Sequence, residues 1–325
     1  MTSLIDQHGR VVRDLRISIT PRCNFQCVYC HPLAAHHAEP AGTLSLEDVT
    51  HVLRAATSLG MTSVRFTGGE PLLRRDLPQM IATAKELGVP DVAITTNATL
   101  LARQLPDLLA AGLDRVNISL DAVSEAAFQA LTKTNKISQV WRGIDALFEA
   151  DLQPVKLNAV VIRGVNDSEI IQLAELTREL PLHMRFIEYM HLNNSQVDEY
   201  QQDFFSGQET KARIEEIFGE LEPVPTDPSA PARLFTVPGW LGKLGFINPI
   251  SEPFCGACSR MRVTSDAKVR PCLLTDRELD ARAALSANDP VKALQDVFLV
   301  AAHRKVASGI TAPVARPRTM LSIGG

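Results

Sequence analysis

A repeated alternation of strand and helix patterns constrains the fold of this 325-residue chain more than any other feature. Short β-rich runs are separated by longer segments whose apolar residues recur at helical spacing, as they do across residues 46–59. Six such units in a row favour a parallel sheet, wound flat or rolled into a barrel. The predicted strands are Leu15–Ile19, Ser63–Thr67, Asp91–Thr96, Arg115–Leu120, Pro154–Ile162 and His183–Tyr189. The further predicted helices are Leu77–Leu87, Leu100–Ala111, Val140–Ala150 and Glu169–Leu180.

Most polar and glycine-rich signals follow the C-terminal ends of these strands, which is the rim where α/β barrels build their sites. A cysteine-rich loop follows the first strand, and a Thr-Gly-Gly-Glu-Pro run (67–71) follows the second. In the fifth strand, a period of two places Lys156 and Asn158 on one face. Lys156 is therefore predicted to point into the barrel toward an anionic partner, because a buried ammonium is costly alone. A frayed strand end with a solvated lysine is the alternative.

Composition narrows the possible partners and compartment. The net charge of −4 argues against a general nucleic-acid binder or an acidic-membrane binder, so a polyanionic ligand needs a local group of cations. Residues 1–10 lack the apolar core of a secretory signal, and no run of eighteen apolar residues is present. A cytoplasmic location is expected, and there six cysteines are more typical of metal ligands than of disulfides.

The loop after the first strand holds Cys23, Cys27 and Cys30 at the spacing C-x3-C-x2-C. Three thiolates can hold three corners of a 4Fe–4S cluster, leaving one iron free to bind a small molecule. A structural zinc site fits less well, since zinc usually takes four protein ligands in paired C-x2-4-C units. His31 would be the fourth ligand in that alternative.

The strand–helix rhythm breaks after Met190. A short helix is predicted at Glu209–Phe218, followed by a proline-rich connector at 222–231 and a hairpin at Leu234–Ile250. We place a domain boundary at the connector, with a partial barrel at 1–221 and an accessory region at 222–325.

The accessory region holds a second cysteine set, Cys255, Cys258 and Cys272, which again has three members. A second cluster with an open iron is simpler than a zinc ribbon, which would need a carboxylate as its fourth ligand. Arg260 and Arg262 lie between the cysteines and suit phosphate oxygens. An amphipathic strand with a solvated basic face is the alternative.

The first cysteine set followed by Gly68-Gly69-Glu70-Pro71 resembles the radical S-adenosylmethionine (SAM) superfamily. The wider pattern resembles one family within it, the GTP 3′,8-cyclases, which catalyse the first step of molybdenum cofactor biosynthesis. The resemblance covers nearly the whole chain; its segments are Leu15–Thr20, Arg65–Pro71, Arg115–Asp121, Arg185–Met190, Cys255–Leu273 and Ser322–Gly325.

The resemblance implies an α/β fold, an incomplete (β/α)6 TIM-type barrel with a C-terminal accessory region that carries a second iron–sulfur cluster. Cys23, Cys27 and Cys30 would hold a 4Fe–4S cluster that binds SAM, and Arg260 and Arg262 would join them in catalysis. The implied SAM contacts are Tyr29, Gly69, Ser119 and Met190. Cys255, Cys258 and Cys272 would hold a second 4Fe–4S cluster facing the guanine of GTP. The implied GTP pocket is Arg16, Arg65, Thr95, Lys156, Arg185, Arg260, Met261 and Arg262.

The implied reaction is radical-based. Cleavage of SAM to methionine and a 5′-deoxyadenosyl radical leads to abstraction of the ribose 3′ hydrogen and closure onto carbon 8 of guanine. The implied partners are a low-potential electron donor and cyclic pyranopterin monophosphate synthase, which takes the product; the chain would be a monomer or a homodimer. A terminal Gly324-Gly325 resembles a tail that enters the active site.

Several positions depart from the family pattern. Pro21 and His31 replace an expected Asp and Met, Ala98 and Ala267 replace glycines, and Ser259 replaces an Asn. Ser63 stands where a basic residue is expected, which predicts one triphosphate contact fewer. Two alternatives stay open: another radical SAM enzyme with an auxiliary cluster, and a non-enzymatic iron–sulfur or zinc protein.

Overall fold

The computed structural model describes residues 3–30, 42–190, 192, 197–310, 318 and 320–324. Its strands are β1 Asp14–Ser18, β2 Ser63–Thr67, β3 Asp91–Thr96, β4 Arg115–Ser119, β5 Val155–Val161, β6 Leu182–Glu188, β7 Glu222–Val224, β8 Arg233–Thr236, β9 Lys243–Ile247, β10 Arg260–Val263, β11 Lys268–Arg270 and β12 Leu279–Asp280. Its α-helices are α1 Leu46–Ser58, α2 Leu77–Glu86, α3 Leu101–Ala110, α4 Glu125–Thr132, α5 Ile137–Glu149, α6 Ile170–Glu179, α7 Val197–Asp203, α8 Gly207–Phe218, α9 Arg282–Leu285, α10 Pro290–His303 and α11 Met320–Ile323.

The strands form one sheet in the order β12-β11-β10-β1-β2-β3-β4-β5-β6-β9-β8-β7. The strands from β10 to β9 in this order run parallel, and antiparallel strands extend both edges. The six consecutive strands β1–β6 with helices between them confirm the predicted incomplete (β/α)6 barrel. The C-terminal strands close both of its edges, because β10 pairs with β1 and β9 pairs with β6. The domain boundary near residue 221 stays a prediction.

The strand register sets which side chains face the interior. Arg16 of β1 lies between Arg262 of β10 and Arg65 of β2, and Asn158 of β5 lies between Ser119 of β4 and Arg185 of β6. Laterally paired residues share a face of a sheet, so these polar side chains line one surface. The residues that alternate with them, such as Leu15, Ile17 and Leu157, are fully buried under the helices.

The helices cover the outer face through apolar stripes. Ser45 caps the N-terminus of helix α1, and its hydroxyl accepts from the Asp48 backbone N–H at 3.0 Å in a capping box. All six strands of the sequence prediction match the structure to within one residue at each end. Helices α4, α7, α9, α10 and α11 were not predicted; α10 buries Leu294 and Phe298 against the core. Among the described residues, no helix is long and apolar enough to cross a membrane.

Candidate active site

Two adjoining cavities lie on the polar inner face of the sheet. The first, of about 300 Å³, is lined by all six cysteines and is called the cysteine cavity below. The second, of about 400 Å³, is lined mainly by basic side chains and is called the cationic cavity. Four arginines line both cavities and join them: Arg16, Arg65, Arg185 and Arg260.

The two glycines of the 67–71 run allow the cysteine loop to pack directly on β2. A Cβ atom at Gly68 would collide with the carbonyl oxygen of Thr20, and one at Gly69 would collide with that of Arg22. The backbone N–H groups of Gly69 and Glu70 instead donate to those same oxygens, each at 2.7 Å. The glycines therefore fix where the loop with Cys23, Cys27 and Cys30 begins.

Glu70 ties this loop to the end of β3. Its carboxylate accepts from the Thr96 hydroxyl at 2.7 Å, from the Asn97 N–H at 2.7 Å and from the Leu72 N–H at 3.0 Å. Asn97 donates in turn to the side chain of Asn24, between the first two cysteines, at 2.7 Å. Burial raises the pKa of Glu70 to about 7 despite these hydrogen bonds. Glu70 is thus a structural bridge, which the sequence motif alone did not reveal.

The first cysteine set has the burial and chemistry of a cluster site. Burial raises the pKa of Cys23 to about 11, against hydrogen bonds from nearby backbone. Burial and the neighbouring Cys23 and Asp121 raise the pKa of Cys30 to about 12, and burial also raises the pKa of Cys27. Three crowded thiolates in this place require a positively charged partner, so the residues fit a 4Fe–4S cluster.

The residues expected to contact SAM lie around this set. Tyr29, Gly69, Ser119 and Met190 all line the cysteine cavity. The Tyr29 hydroxyl donates to Asp121 at 2.6 Å, and the Val160 N–H donates to the other carboxylate oxygen at 2.8 Å. Burial raises the pKa of Asp121 to about 6. Asp121 was not singled out by the sequence, although its position at the end of a strand offered a signal.

The second cysteine set reaches the same cavity beside β10, the direct neighbour of β1, but from the end of these strands opposite to the one that the first set follows. Cys255 and Cys258 flank a 3₁₀ turn just before β10, and Cys272 follows β11. Burial acts to raise the pKa of Cys258, but the positive charges of Lys305 and Arg260 outweigh it and lower the pKa. Burial raises the pKa of Cys272. Among the described residues, no three His, Cys, Asp or Glu side chains are gathered around one point that could hold a single ion. His31 lies outside the described residues.

The cationic cavity concentrates positive charge that has few internal anions. Burial and the nearby Arg115 lower the pKa of Arg65 to about 9, that of Arg185 to about 10 and that of Lys156 to about 8. Lys156 lines this cavity, as predicted, rather than a frayed strand end. The Nε atoms of Arg65 and Arg185 are buried and have no hydrogen-bond partner among the described residues. Such a cluster is suited to a polyanion.

The basic residues of β10 face the cavities, but the residue between them does not. Arg260 lines both cavities and Arg262 lines the cysteine cavity, where it is only 5% exposed, so the alternative of a solvated basic face is wrong. Met261 points to the other face of β10 and is fully buried in the apolar core, so it lines neither cavity; strand alternation is the reason. Thr95 lines the cysteine cavity.

The C-terminal tail meets this strand. Gly324 is buried, and its carbonyl oxygen accepts a hydrogen bond from Nη1 of Arg262. A Cβ atom on Gly324 would press on Thr67 and Ser18, and its φ of +77° also favours glycine. Gly325 lies outside the described residues.

The cationic cavity contains two arginines and a histidine that the sequence did not single out: Arg13, Arg115 and His183. Burial and the neighbouring cations lower the pKa of His183 to about 4, so its imidazole is neutral near pH 7. Ser63, where a basic residue was expected, lines the same cavity and donates to Asp91 at 2.7 Å. Asp91 also accepts from Nε of Arg115 at 2.6 Å. The cavity therefore keeps a cation beside the serine. Adjacency in the folded sheet, rather than in sequence, brings these residues together.

Comparison with known proteins agrees with this geometry. Residues 17–177 match the model of the radical SAM superfamily, and residues 182–309 match the model described as Molybdenum Cofactor Synthesis C. The GTP 3′,8-cyclase of Heliobacterium modesticaldum is 40% identical and is aligned over 99% of this chain and 100% of its own length. That of Thermodesulfovibrio yellowstonii is 38% identical, over 98% and 99% respectively.

Solved structures support the fold. Streptococcus suis SuiB, in a structure bound to S-adenosylmethionine, matches with a TM-score of 0.60 at 17% identity and covers 88% of this chain and 68% of its own. The structure of anSMEcpe with bound AdoMet matches with a TM-score of 0.51 at 14% identity, over 88% and 83%. By its near-full-length identity to those relatives, the chain belongs to the GTP 3′,8-cyclase family of the radical SAM superfamily.

Proposed function

We propose that this protein is a radical SAM lyase that converts GTP to (8S)-3′,8-cyclo-7,8-dihydroguanosine 5′-triphosphate, with methionine and 5′-deoxyadenosine as co-products. This reaction is the first step of molybdenum cofactor biosynthesis. One observation carries the proposal: two sets of three cysteines line a single cavity, and four arginines connect it to a cationic cavity.

Each cysteine set is proposed to hold one 4Fe–4S cluster. Cys23, Cys27 and Cys30 would hold the cluster that binds SAM, and Cys255, Cys258 and Cys272 would hold the second. When bound, the first cluster would pass an electron from a low-potential donor to SAM, and SAM would supply the 5′-deoxyadenosyl radical on which the reaction depends. The proposed SAM contacts are Tyr29, Gly69, Ser119 and Met190, all on the wall of the cysteine cavity.

The chain's own residues then position GTP. A triphosphate of about four negative charges would relieve the repulsion among the clustered cations, which explains how an acidic protein can bind a polyanion. The proposed contacts are Arg16, Arg65, Thr95, Lys156, Arg185, Arg260 and Arg262. With the triphosphate in the cationic cavity, the nucleoside would lie in the cysteine cavity between the two clusters. That placement brings the ribose near the radical source and shields it from water.

The finer assignments are part of this proposal. The barrel at 1–221 would bind SAM, and the region at 222–325 would supply the second cluster and part of the GTP site. The electron would come from a low-potential donor, and the product would pass to cyclic pyranopterin monophosphate synthase.

One anaerobic assay tests the proposal. The protein is reconstituted with iron and sulfide and incubated with SAM, dithionite and GTP, and the nucleotides are separated by chromatography with mass detection. The proposal expects 5′-deoxyadenosine together with the cyclised nucleotide, which has the same elemental composition as GTP. Full iron loading and SAM cleavage without a GTP-derived product would instead indicate another substrate.

A further inference from the structure

Lys305 is a buried cation in direct contact with the second cysteine set. The residue is 2% exposed, and it follows helix α10 at a position that no sequence motif marked. Its Nζ lies 3.4 Å from Sγ of Cys258, 2.9 Å from the carbonyl oxygen of Arg260 and 2.8 Å from the carbonyl oxygen of Pro271. An ammonium has three N–H donors, so all three are used.

These three contacts join two separate cysteine-bearing segments. Cys258 and Arg260 lie at the start of β10, whereas Pro271 directly precedes Cys272 after β11. One side chain therefore spans the ends of both segments. Burying an ammonium is costly unless every donor is satisfied, so the position is unlike that of a lysine that merely covers apolar surface.

The backbone around Lys305 is itself fixed from the N-terminal part of the chain. The Gln7 side chain donates to the Lys305 carbonyl oxygen at 2.8 Å. The buried Arg10 donates to the carbonyl oxygens of Val306 and Cys255, each at 2.7 Å. The lysine is held against the second set with little freedom to swing away, since both its backbone and its head group are bonded.

We propose that Lys305 is a positioning residue of the second cluster, which raises the reduction potential of that cluster through its charge and its Nζ–H···Sγ bond to Cys258. A positive charge and a hydrogen bond at a ligating sulfur stabilise the more negative, reduced state of an iron–sulfur cluster. The inference rests on the proposed second cluster but not on GTP as the substrate.

The test uses the full chain with Cys23, Cys27 and Cys30 replaced by alanine, so that only the second cluster is present. This triple variant is the parent protein for the further substitutions. In this parent, Lys305→Met keeps most of the side chain but removes its charge and donors, and Lys305→Gln keeps an N–H donor without the charge. Lys292→Met is the matched control, because it removes a lysine of α10 whose partner is the exposed Asp296. Iron content and the midpoint potential, from a redox titration followed by electron paramagnetic resonance, are measured for each.

The expected result is iron content equal to that of the parent and a midpoint potential shifted downward, most in Lys305→Met, less in Lys305→Gln and not in Lys292→Met. Unchanged potentials at full iron loading would overturn the proposal. Loss of iron from both Lys305 variants but not from Lys292→Met would also overturn it, leaving only a structural role. Absence of a reducible cluster from the parent protein would overturn both this inference and the proposed second cluster. If the Lys305 substitutions lower the midpoint potential in a protein that does not convert GTP, this inference stands and GTP as the substrate does not.

Discussion

At the scale of single residues, the clearest property of the site is unbalanced positive charge. Burial lowers the pKa of Arg65, Lys156 and Arg185, and the positive charge of the nearby Arg115 lowers each further. Such an arrangement costs folding free energy when the cavity holds no anion. The cost points to a ligand-binding site, because carboxylates pair with Arg13 and Arg115 at the cavity but leave the three inner cations without an ion pair among the described residues.

The pKa of about 8 at Lys156 leads to a prediction about GTP binding. Below about pH 8 the ammonium is already charged, whereas above it the free protein must take up a proton to restore the cation that a triphosphate favours. We expect the GTP affinity to fall by up to about tenfold per pH unit above pH 8. The affinity should stop falling above the pKa that Lys156 has when GTP is bound, because the lysine is then neutral in both the free protein and the complex.

Equilibrium dialysis with labelled GTP between about pH 7 and pH 9.5 measures this slope. Lys156→Met should bind GTP more weakly at neutral pH but show a flatter profile. Since GTP itself titrates equally in both experiments, the difference between the two profiles isolates the lysine. Identical slopes in the two proteins would contradict the prediction.

At the scale of elements, the cysteine loop depends on its close approach to the end of β2. Because Gly68 and Gly69 have no side chains, their backbone can closely approach the carbonyl oxygens of Thr20 and Arg22. The turn of Cys255–Ala257 has no comparable constraint, because a Cβ atom on Gly256 meets nothing within 4 Å. The two cysteine sets are therefore held in different ways.

Gly69→Ala is expected to displace the loop of Cys23–Cys30, since the new methyl group cannot share space with a backbone oxygen that is already hydrogen-bonded. The reconstituted variant should lose about half of its iron and its SAM cleavage. The matched variant Gly256→Ala should keep both clusters, since open space surrounds that position. Iron assay and 5′-deoxyadenosine formation provide the measurements; full iron in Gly69→Ala would show that the loop can move without losing its cluster.

At the scale of the whole molecule, the C-terminus returns to the barrel. Arg318 pairs with Asp266 at 2.9 Å and with Glu278 at 2.8 Å, and both partners lie beside strands β10–β12. Gly324, six residues further on, bonds Arg262 on the wall of the cysteine cavity. The ion pairs of Arg318 are thus placed to anchor the segment that delivers Gly324.

Arg318→Ala should weaken that anchoring, because charge-assisted hydrogen bonds contribute roughly 1.5–3 kcal/mol each to local stability. We expect cyclisation of GTP to slow by about tenfold or more, while SAM cleavage without GTP changes little. Rates of formation of the cyclised nucleotide and of 5′-deoxyadenosine give the two readouts. Arg213→Ala, which breaks an exposed pair with Asp167, is the control; equal cyclisation rates in the two variants would refute the anchoring role.

Much of the fold and of the cysteine chemistry could be predicted from the sequence. Six strands were placed to within one residue because strand and helix periods differ and because glycine and polar residues mark the strand ends. The inward orientation of Lys156 also followed from strand alternation alone. Met261 shows that the role of a family motif cannot be assigned to each of its residues. It stands between Arg260 and Arg262 in β10, so strand alternation turns its side chain away from the cavities and into the apolar core.

By itself, the sequence determined which residues alternate and which segments form strands, and it favoured iron–sulfur clusters at two sets of three thiols. Only the tertiary structure decided that both sets line one cavity, that Arg13 and Arg115 add positive charge to the second cavity, and that Lys305 reaches Cys258. The physical reason is the distance along the chain over which each kind of interaction acts. Periodicity and turn chemistry act over a few residues, whereas the two cysteine sets are brought together by the pairing of β10 with β1, which are more than two hundred residues apart in the chain.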